Sequence, residues 1–390
     1  MSETVILGAK RTAIGSMLGQ FTGVPTTTLG ATAIRAALVQ SGVKPEAVSE
    51  VIMGCVLPAN LGQAPARQAA LAAGLPKSTG CTTINKVCGS GMKAVMLAND
   101  IIKAGSGEII VAGGMESMTN APHMVAARSG IRYGEAKLVD HMAWDGLTNP
   151  YDGQSMGVFA DATADKYGFT REAQDAFAAE SVRRAQAAIA SGAFADEIVA
   201  VTVKTRKGDV DYATDEQPGK SDIAKIPTLK PAFRKDGTVT AASSSSISDG
   251  AAALVIASAE AAQKAGAKPL ARIVGHATQS QEPAWFTTAP VVAIDTLLKK
   301  VGWKVGDVDL FEVNEAFAVV AMAPIKDLGI PHDKLNVNGG ACALGHPIGC
   351  SGARLIVTLI HALRKHGGKR GVASLCIGGG EATAIAVELA

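Results

Sequence analysis

The chain repeats itself, and the repeat limits the folds open to it. An apolar run, IIVA at 109–112, leads into GGME at 113–116; far downstream, VASL at 372–375 leads into CIGGGE at 376–381. Each run follows a helical apolar stretch that opens on a Ser-Gly pair. One pair is Ser90 and Gly91 before 92–104, the other Ser351 and Gly352 before 353–365. Further upstream, 82–85 matches 335–338 as a short strand, and 50–54 matches 309–313. Strands that alternate with helical segments and read as continuous apolar runs predict mainly parallel sheets covered by helices on both faces. Two such halves packed together give an α/β protein with a layered α/β/α/β/α body. The halves differ in one place. Five positions separate Asn85 from Ser90 and thirteen separate Asn338 from Ser351, and the eight extra residues carry His346.

A segment at 118–246 interrupts the repeat. The predicted division is therefore a first half at 1–117 completed by 247–267, an inserted loop domain at 118–246, and a second half at 268–390. Within the insertion, 171–191 reads as a helix, with Thr170 as N-cap, Glu172 in the first turn and Gly192 just past the end. The remainder is broken by Gly, Asp and Pro and carries scattered cations, among them Lys204, Lys220, Lys225 and Arg234. So long an excursion from a doubly wound body reads as a lid or ligand-binding layer.

Hydrophobic residues make up 47% of the 390 positions and aromatics 4%, so the interior must be built from small aliphatic side chains, with 43 glycines permitting close packing. A formal charge of +2 points away from nucleic acid or an anionic membrane as the main partner. The first residues carry no basic region ahead of an apolar run, and no apolar stretch is long enough for a membrane span. A cytoplasmic protein is expected. Cys55, Cys81, Cys88, Cys342, Cys350 and Cys376 form neither a disulfide framework nor a zinc-spaced cluster, and no metal site is expected.

Three separated stretches read as parts of one reactive site: NKVCGSG at 85–91, GGACALGHPIG at 339–349 and CIGGG at 376–380. Each sets one reactive side chain (Cys88, His346, Cys376) among glycines, where backbone amides approach a substrate closely. Cys88 precedes a helix start near Ser90, a position expected to lower its pKa and make it a nucleophile. His346 stands in the insert of the repeat as a base toward Cys88 or as an oxyanion donor. Cys376 ends a buried strand at the carboxyl edge, where open α/β sheets bind ligands, and an ordinary thiol pKa there suits proton transfer at carbon. The amides of Cys88 and Gly378 are placed to bind a thioester oxyanion. Asn314, in NEAF at 314–317, comes to the same edge.

Taken in this order and spacing, the motifs resemble those of the thiolase family over essentially the whole chain, and most closely its short-chain acetyl-CoA acetyltransferases. The resemblance implies a ping-pong Claisen condensation of two acetyl-CoA to acetoacetyl-CoA and CoA, or the reverse thiolysis. Cys88 would carry the acyl group, His346 would take the thiol proton, and Cys376 would move the proton at Cα. One oxyanion hole would use His346 with a water held by Asn314, the other the amides of Cys88 and Gly378. It further implies a loop domain that binds coenzyme A, with Leu147, Met156, Ala232, Phe233, Ser245, Ile247, Ala316 and Phe317 along the pantetheine, and no resident cofactor. The stretch 120–134 corresponds to the part that joins two dimers into a homotetramer.

Some positions depart from the family pattern. Ser155 stands where biosynthetic members commonly carry histidine, Phe286 where short-chain members often carry methionine, and Lys220 is the nearest cation to the adenine. In the serine loop AASSSS at 241–246, Ser243 replaces the usual asparagine, and an unmade backbone contact is expected there. A broader-range 3-ketoacyl-CoA thiolase of fatty-acid β-oxidation is the alternative function. A condensing enzyme of the ketoacyl-synthase kind would not need Cys376, a non-catalytic lipid carrier would not need all three reactive residues, and a cysteine hydrolase would need an Asp or Asn to orient the histidine.

Overall fold

The computed structural model describes residues 3–390; Met1 and Ser2, which open the segment read as lacking a leader, lie outside the described residues. The body is five-layered. In the first half the strand order is Gly80–Ile84, Glu50–Gly54, Ile109–Ser117, Ser248–Ser258 and Thr4–Thr12. In the second it is Leu310–Val313, Arg370–Ile377, Glu381–Leu389 and Ala271–Ser280, and the two sheets join where Val5 and Ile6 pair with Arg272 and Ala271. The helix Thr26–Ser41 covers the outer face of the first sheet, and the helix Ala289–Val301 that of the second. Between the sheets lie the helices Ser90–Lys103 and Ile348–His366. The two central helices meet through the glycines of the repeated Ser-Gly pairs. A Cβ on Gly91 would lie 2.9 Å from Ala353 N, and one on Gly352 would lie 2.5 Å from Met92 N. Glycine is therefore required twice, once in each copy of the motif.

The sheets are mixed rather than mainly parallel. The strand Ser248–Ser258 runs antiparallel to both of its neighbours, as does Glu381–Leu389, while Glu50–Gly54 and Leu310–Val313 keep parallel partners. The parallel expectation failed for a physical reason. All residues of Ser248–Ser258 are buried because helices cover both faces, so this antiparallel strand lacks the polar alternation that would betray its direction.

The short strand expected at 335–338 is absent; a single bridge links Leu335 to Phe311. Asn336 has a φ of 50°, and its side chain replaces a strand by accepting from Val313 N–H at 2.9 Å and donating to Val313 C=O at 2.8 Å. Arg184 Nη1 meanwhile occupies the Leu335 carbonyl at 2.6 Å. The helix expected over 171–191 forms as Arg171–Ala190, with Thr170 Oγ1 accepting from Ala173 N–H at 3.2 Å. It is the longest of the insertion's elements, which otherwise comprise short helices and two-stranded ribbons such as Val201–Thr205 with Gly208–Tyr212.

Candidate active site

The carboxyl ends of both sheets meet at one cavity of about 400 Å³. Cys88, His346, Cys376 and Gly378 line it together, although 288 positions separate Cys88 from Cys376. The walls are mainly apolar.

Local structure explains how Cys88 is presented. Val87 just before it has a φ of 47°, a strained conformation for a β-branched residue. Asn85 Oδ1 holds the strained peptide by accepting from Val87 N–H at 2.8 Å, and Ser90 Oγ accepts from Lys86 N–H at 2.8 Å. The chain thus turns sharply from the strand Gly80–Ile84 into the helix Ser90–Lys103, leaving the sulfur at the cavity. The Lys86 ammonium pairs with Glu381, so the cysteine loop is tied to the second half.

The pKa expected for Cys88 is reversed. Its sulfur stays partly accessible through the cavity, yet burial among apolar side chains pushes the thiol up to about 11, against the lowering action of the Gly378 and Cys88 N–H groups. The helix start does not make a resting thiolate. Cys376 is fully buried at the end of Arg370–Ile377. Burial first, and then neighbouring Cys88, push it well above the ordinary thiol range, so it too rests as a thiol rather than near its free pKa.

His346 sits in the turn between the short helix Ala341–Leu344 and the helix Ile348–His366, its N–H donating to Ser246 C=O at 3.1 Å. Burial, seconded by the Arg354 guanidinium, drives the imidazole down to about 3, so it is neutral at physiological pH. Ser351 Oγ lies 2.5 Å from His346 Nδ1, and Asn314 Nδ2 lies 3.4 Å from Nε2. Asn314 is fully buried behind the histidine and does not itself line the cavity.

Of the residues expected along the pantetheine, Leu147, Ser155, Met156, Phe233, Ser245, Ile247, Phe286, Ala316 and Phe317 all line the cavity. Two do not. The N–H of Ala232 donates to Val239 C=O, away from the cavity wall. Lys220 is half-exposed, pairs with Glu216 at 2.6 Å and faces a separate recess with Lys225, across the serine loop. The missing contact expected at Ser243 is made: Oγ accepts from Thr240 N–H at 2.8 Å, and the Ser243 C=O accepts from Ala318 N–H at 2.8 Å. A hydroxyl replaces the amide by folding back on its own turn.

Sequence reasoning missed Met118, Thr148, Ser244, Ser246 and Ile348 in the cavity wall, and Ser351 and Arg354 behind His346. Ile348 was within reach of the GHPIG motif. Met118 directly follows the strand Ile109–Ser117, at the same carboxyl edge as Asn314.

Comparison with known proteins decides the family. The family model described as Thiolase, N-terminal domain matches residues 4–260, and that described as Thiolase, C-terminal domain matches 267–389. The chain belongs to the thiolase family. This thiolase is 52% identical to the acetyl-CoA acetyltransferase of Chromobacterium violaceum over 99% of each chain. It is 51% identical to that of Cupriavidus necator over 100% of each. Among solved structures, its fold matches the Bacillus anthracis acetyl-CoA acetyltransferase at a TM-score of 0.97 and 41% identity, covering 100% of this chain and 99% of the other. A thiolase from Ascaris suum, solved in complex with coenzyme A, matches at a TM-score of 0.95 and 44% identity, covering 100% of both chains.

Proposed function

We propose that this thiolase is an acetyl-CoA C-acetyltransferase that condenses two acetyl-CoA to acetoacetyl-CoA and CoA, reversibly, through acetyl-Cys88. The observation that carries the reading is two thiols and a neutral imidazole around one apolar cavity, with the Gly378 N–H directed at the Cys88 sulfur.

The protonation states give an order of events. As the Cys88 sulfur attacks the thioester carbonyl, its proton passes to His346, because a resting thiolate–imidazolium pair is disfavoured on both sides by burial. The amides of Cys88 and Gly378 receive the oxyanion. CoA leaves as its C–S bond breaks and takes the proton of Cys376, which rests as a thiol. The Cys376 thiolate then removes a proton from Cα of the second acetyl-CoA, whose enolate oxygen is held by His346 and a water on Asn314. The enolate carbon attacks the acetyl carbonyl, and the Cys88 sulfur leaves and recovers its proton from His346. All three groups end as they began, so the cycle calls for no resident cofactor.

The insertion at 118–246 supplies Leu147, Ser155, Met156 and Phe233 to the wall and is read as the coenzyme A-binding layer. Exposed Ile131 and Tyr133 support the reading of 120–134 as a contact between copies in a homotetramer. Six unpaired cysteines support a cytoplasmic location. Phe286 in the cavity wall favours one second reading, a thiolase of broader chain-length range. The deciding experiment measures CoA-dependent loss of acetoacetyl-CoA beside a longer straight-chain 3-ketoacyl-CoA at equal concentration. Fast cleavage of the short substrate alone supports the acetyltransferase, comparable cleavage of both supports the broader enzyme, and cleavage of neither overturns both.

A further inference from the structure

Ser90 and Ser351 occupy equivalent places in the two halves, and each hydroxyl grips the reactive loop of its own half. Ser90 Oγ donates to Val87 C=O at 2.7 Å while accepting from Lys86 N–H. Ser351 Oγ lies 3.0 Å from Pro347 C=O and 2.5 Å from His346 Nδ1. A hydroxyl carries one hydrogen and a carbonyl only accepts. The Pro347 contact therefore uses the Ser351 hydrogen, and the contact with His346 must be donated by the ring.

The other side of the ring reaches the same conclusion independently. Arg354 Nη2 lies 3.5 Å from Asn314 Oδ1, and Arg354 Nη1 lies 3.3 Å from Glu312 Oε2. A guanidinium only donates, so the Asn314 oxygen faces Arg354 and the Asn314 NH₂ faces the imidazole. At 3.4 Å from Nε2, that NH₂ suits a bare nitrogen and would oppose an N–H. One directional chain results: Arg354 to Asn314 to Nε2, and Nδ1–H to Ser351 to Pro347.

We propose that Ser351 is a positioning residue for proton transfer in the acyl-transfer step, holding His346 as the Nδ1–H tautomer with Nε2 free to take the Cys88 proton. Its role rests on the reading of His346 as the base. The Cys88 S–H bond breaks as the new S–C bond forms, Nε2 gains the proton, and Nδ1–H stays on the Ser351 oxygen. The opposite tautomer would present a proton to Cys88 and could accept none. Burial and the like charge of Arg354 both keep a second proton off the ring at rest.

The test is ¹⁵N NMR of the full protein labelled at histidine, with the His346 signals assigned by their loss in His346→Gln. The expected wild-type spectrum shows a protonated Nδ1 and an unprotonated Nε2. Ser351→Ala is expected to bring in the Nε2–H form and to lower kcat by about 10- to 100-fold with little change in KM, a part of the ~10²–10⁴ typical of a positioned base. Ser351→Thr, which keeps the hydroxyl, should restore both. A proton on Nε2 in the wild type, or an unchanged tautomer in folded Ser351→Ala, overturns the proposal. The wild-type spectrum decides even if Ser351→Ala does not fold. The tautomer is read without substrate, whereas failure of the proposed function would show as an absence of acetyl-Cys88.

Discussion

Gly89 lies flush against Ile377, so the residue after Cys88 touches the residue after Cys376. A Cβ at position 89 would come within 2.9 Å of Ile377 Cγ1, and closer still to Cδ1. The absence of one methyl group thus allows the nucleophile loop of one half to meet the strand end of the other.

Gly89→Ala should therefore separate the two thiols before it unfolds the protein. Overpacking of this kind costs about 1–3 kcal/mol, and kcat is expected to fall further than a stability loss of that size explains. Adding Ile377→Ala, which removes the clashing atoms, should recover part of the activity. Steady-state kinetics of the single and double variants check this, and a double variant no better than Gly89→Ala would count against the contact.

Cys88→Ser should abolish turnover. Cys376→Ser should still accept acetyl from labelled acetyl-CoA onto Cys88, more slowly because the departing CoA loses its proton donor, and should form no acetoacetyl-CoA. Mass spectrometry of the intact variant after exposure to acetyl-CoA reads this directly. A Cys376 variant that never becomes acetylated would sink the division of roles.

Because Cys88 rests as a thiol with a pKa of about 11, its alkylation by iodoacetamide in the free enzyme should keep rising with pH well past 9. A plateau near pH 7 would reveal a resting thiolate instead.

His346 carries the opposite pH signature in stability. Its folded pKa of about 3 lies below the ordinary histidine value, so the unfolded chain binds the extra proton between those limits. The contribution of His346 is present above about pH 6.5 and is lost as pH falls toward 3. Chemical denaturation at pH 7 and pH 5 should show a smaller loss for His346→Asn than for the parent protein. Equal losses would mean that the ring is already charged in the folded state.

Asn336→Ala should cost about 2–4 kcal/mol, since it strips both polar groups of Val313 and one from Glu315 in a buried setting. Activity should fall with it because Asn314 follows Val313 directly. Denaturant midpoints, measured beside Asn336→Asp, separate loss of the donor from loss of the whole side chain.

The sequence by itself determined the duplicated α/β plan, the two Ser-Gly helices and the assembly of Cys88, His346, Cys376 and Gly378, because each is written in local pattern: apolar runs, glycine spacing and a loop present in only one half. Tertiary structure alone decided three other matters. Strand direction at 248–258 was hidden because burial on both faces erases alternation. The edge at 335–338 was lost as a strand because one asparagine side chain does a strand's hydrogen bonding. The protonation states of both thiols and the histidine were set by burial, which depends on how the two halves close around the cavity and not on the residues next to them in the chain. Ser351 joins the two levels: its place in the repeat was plain from the sequence, and its contact with His346 exists only in the fold.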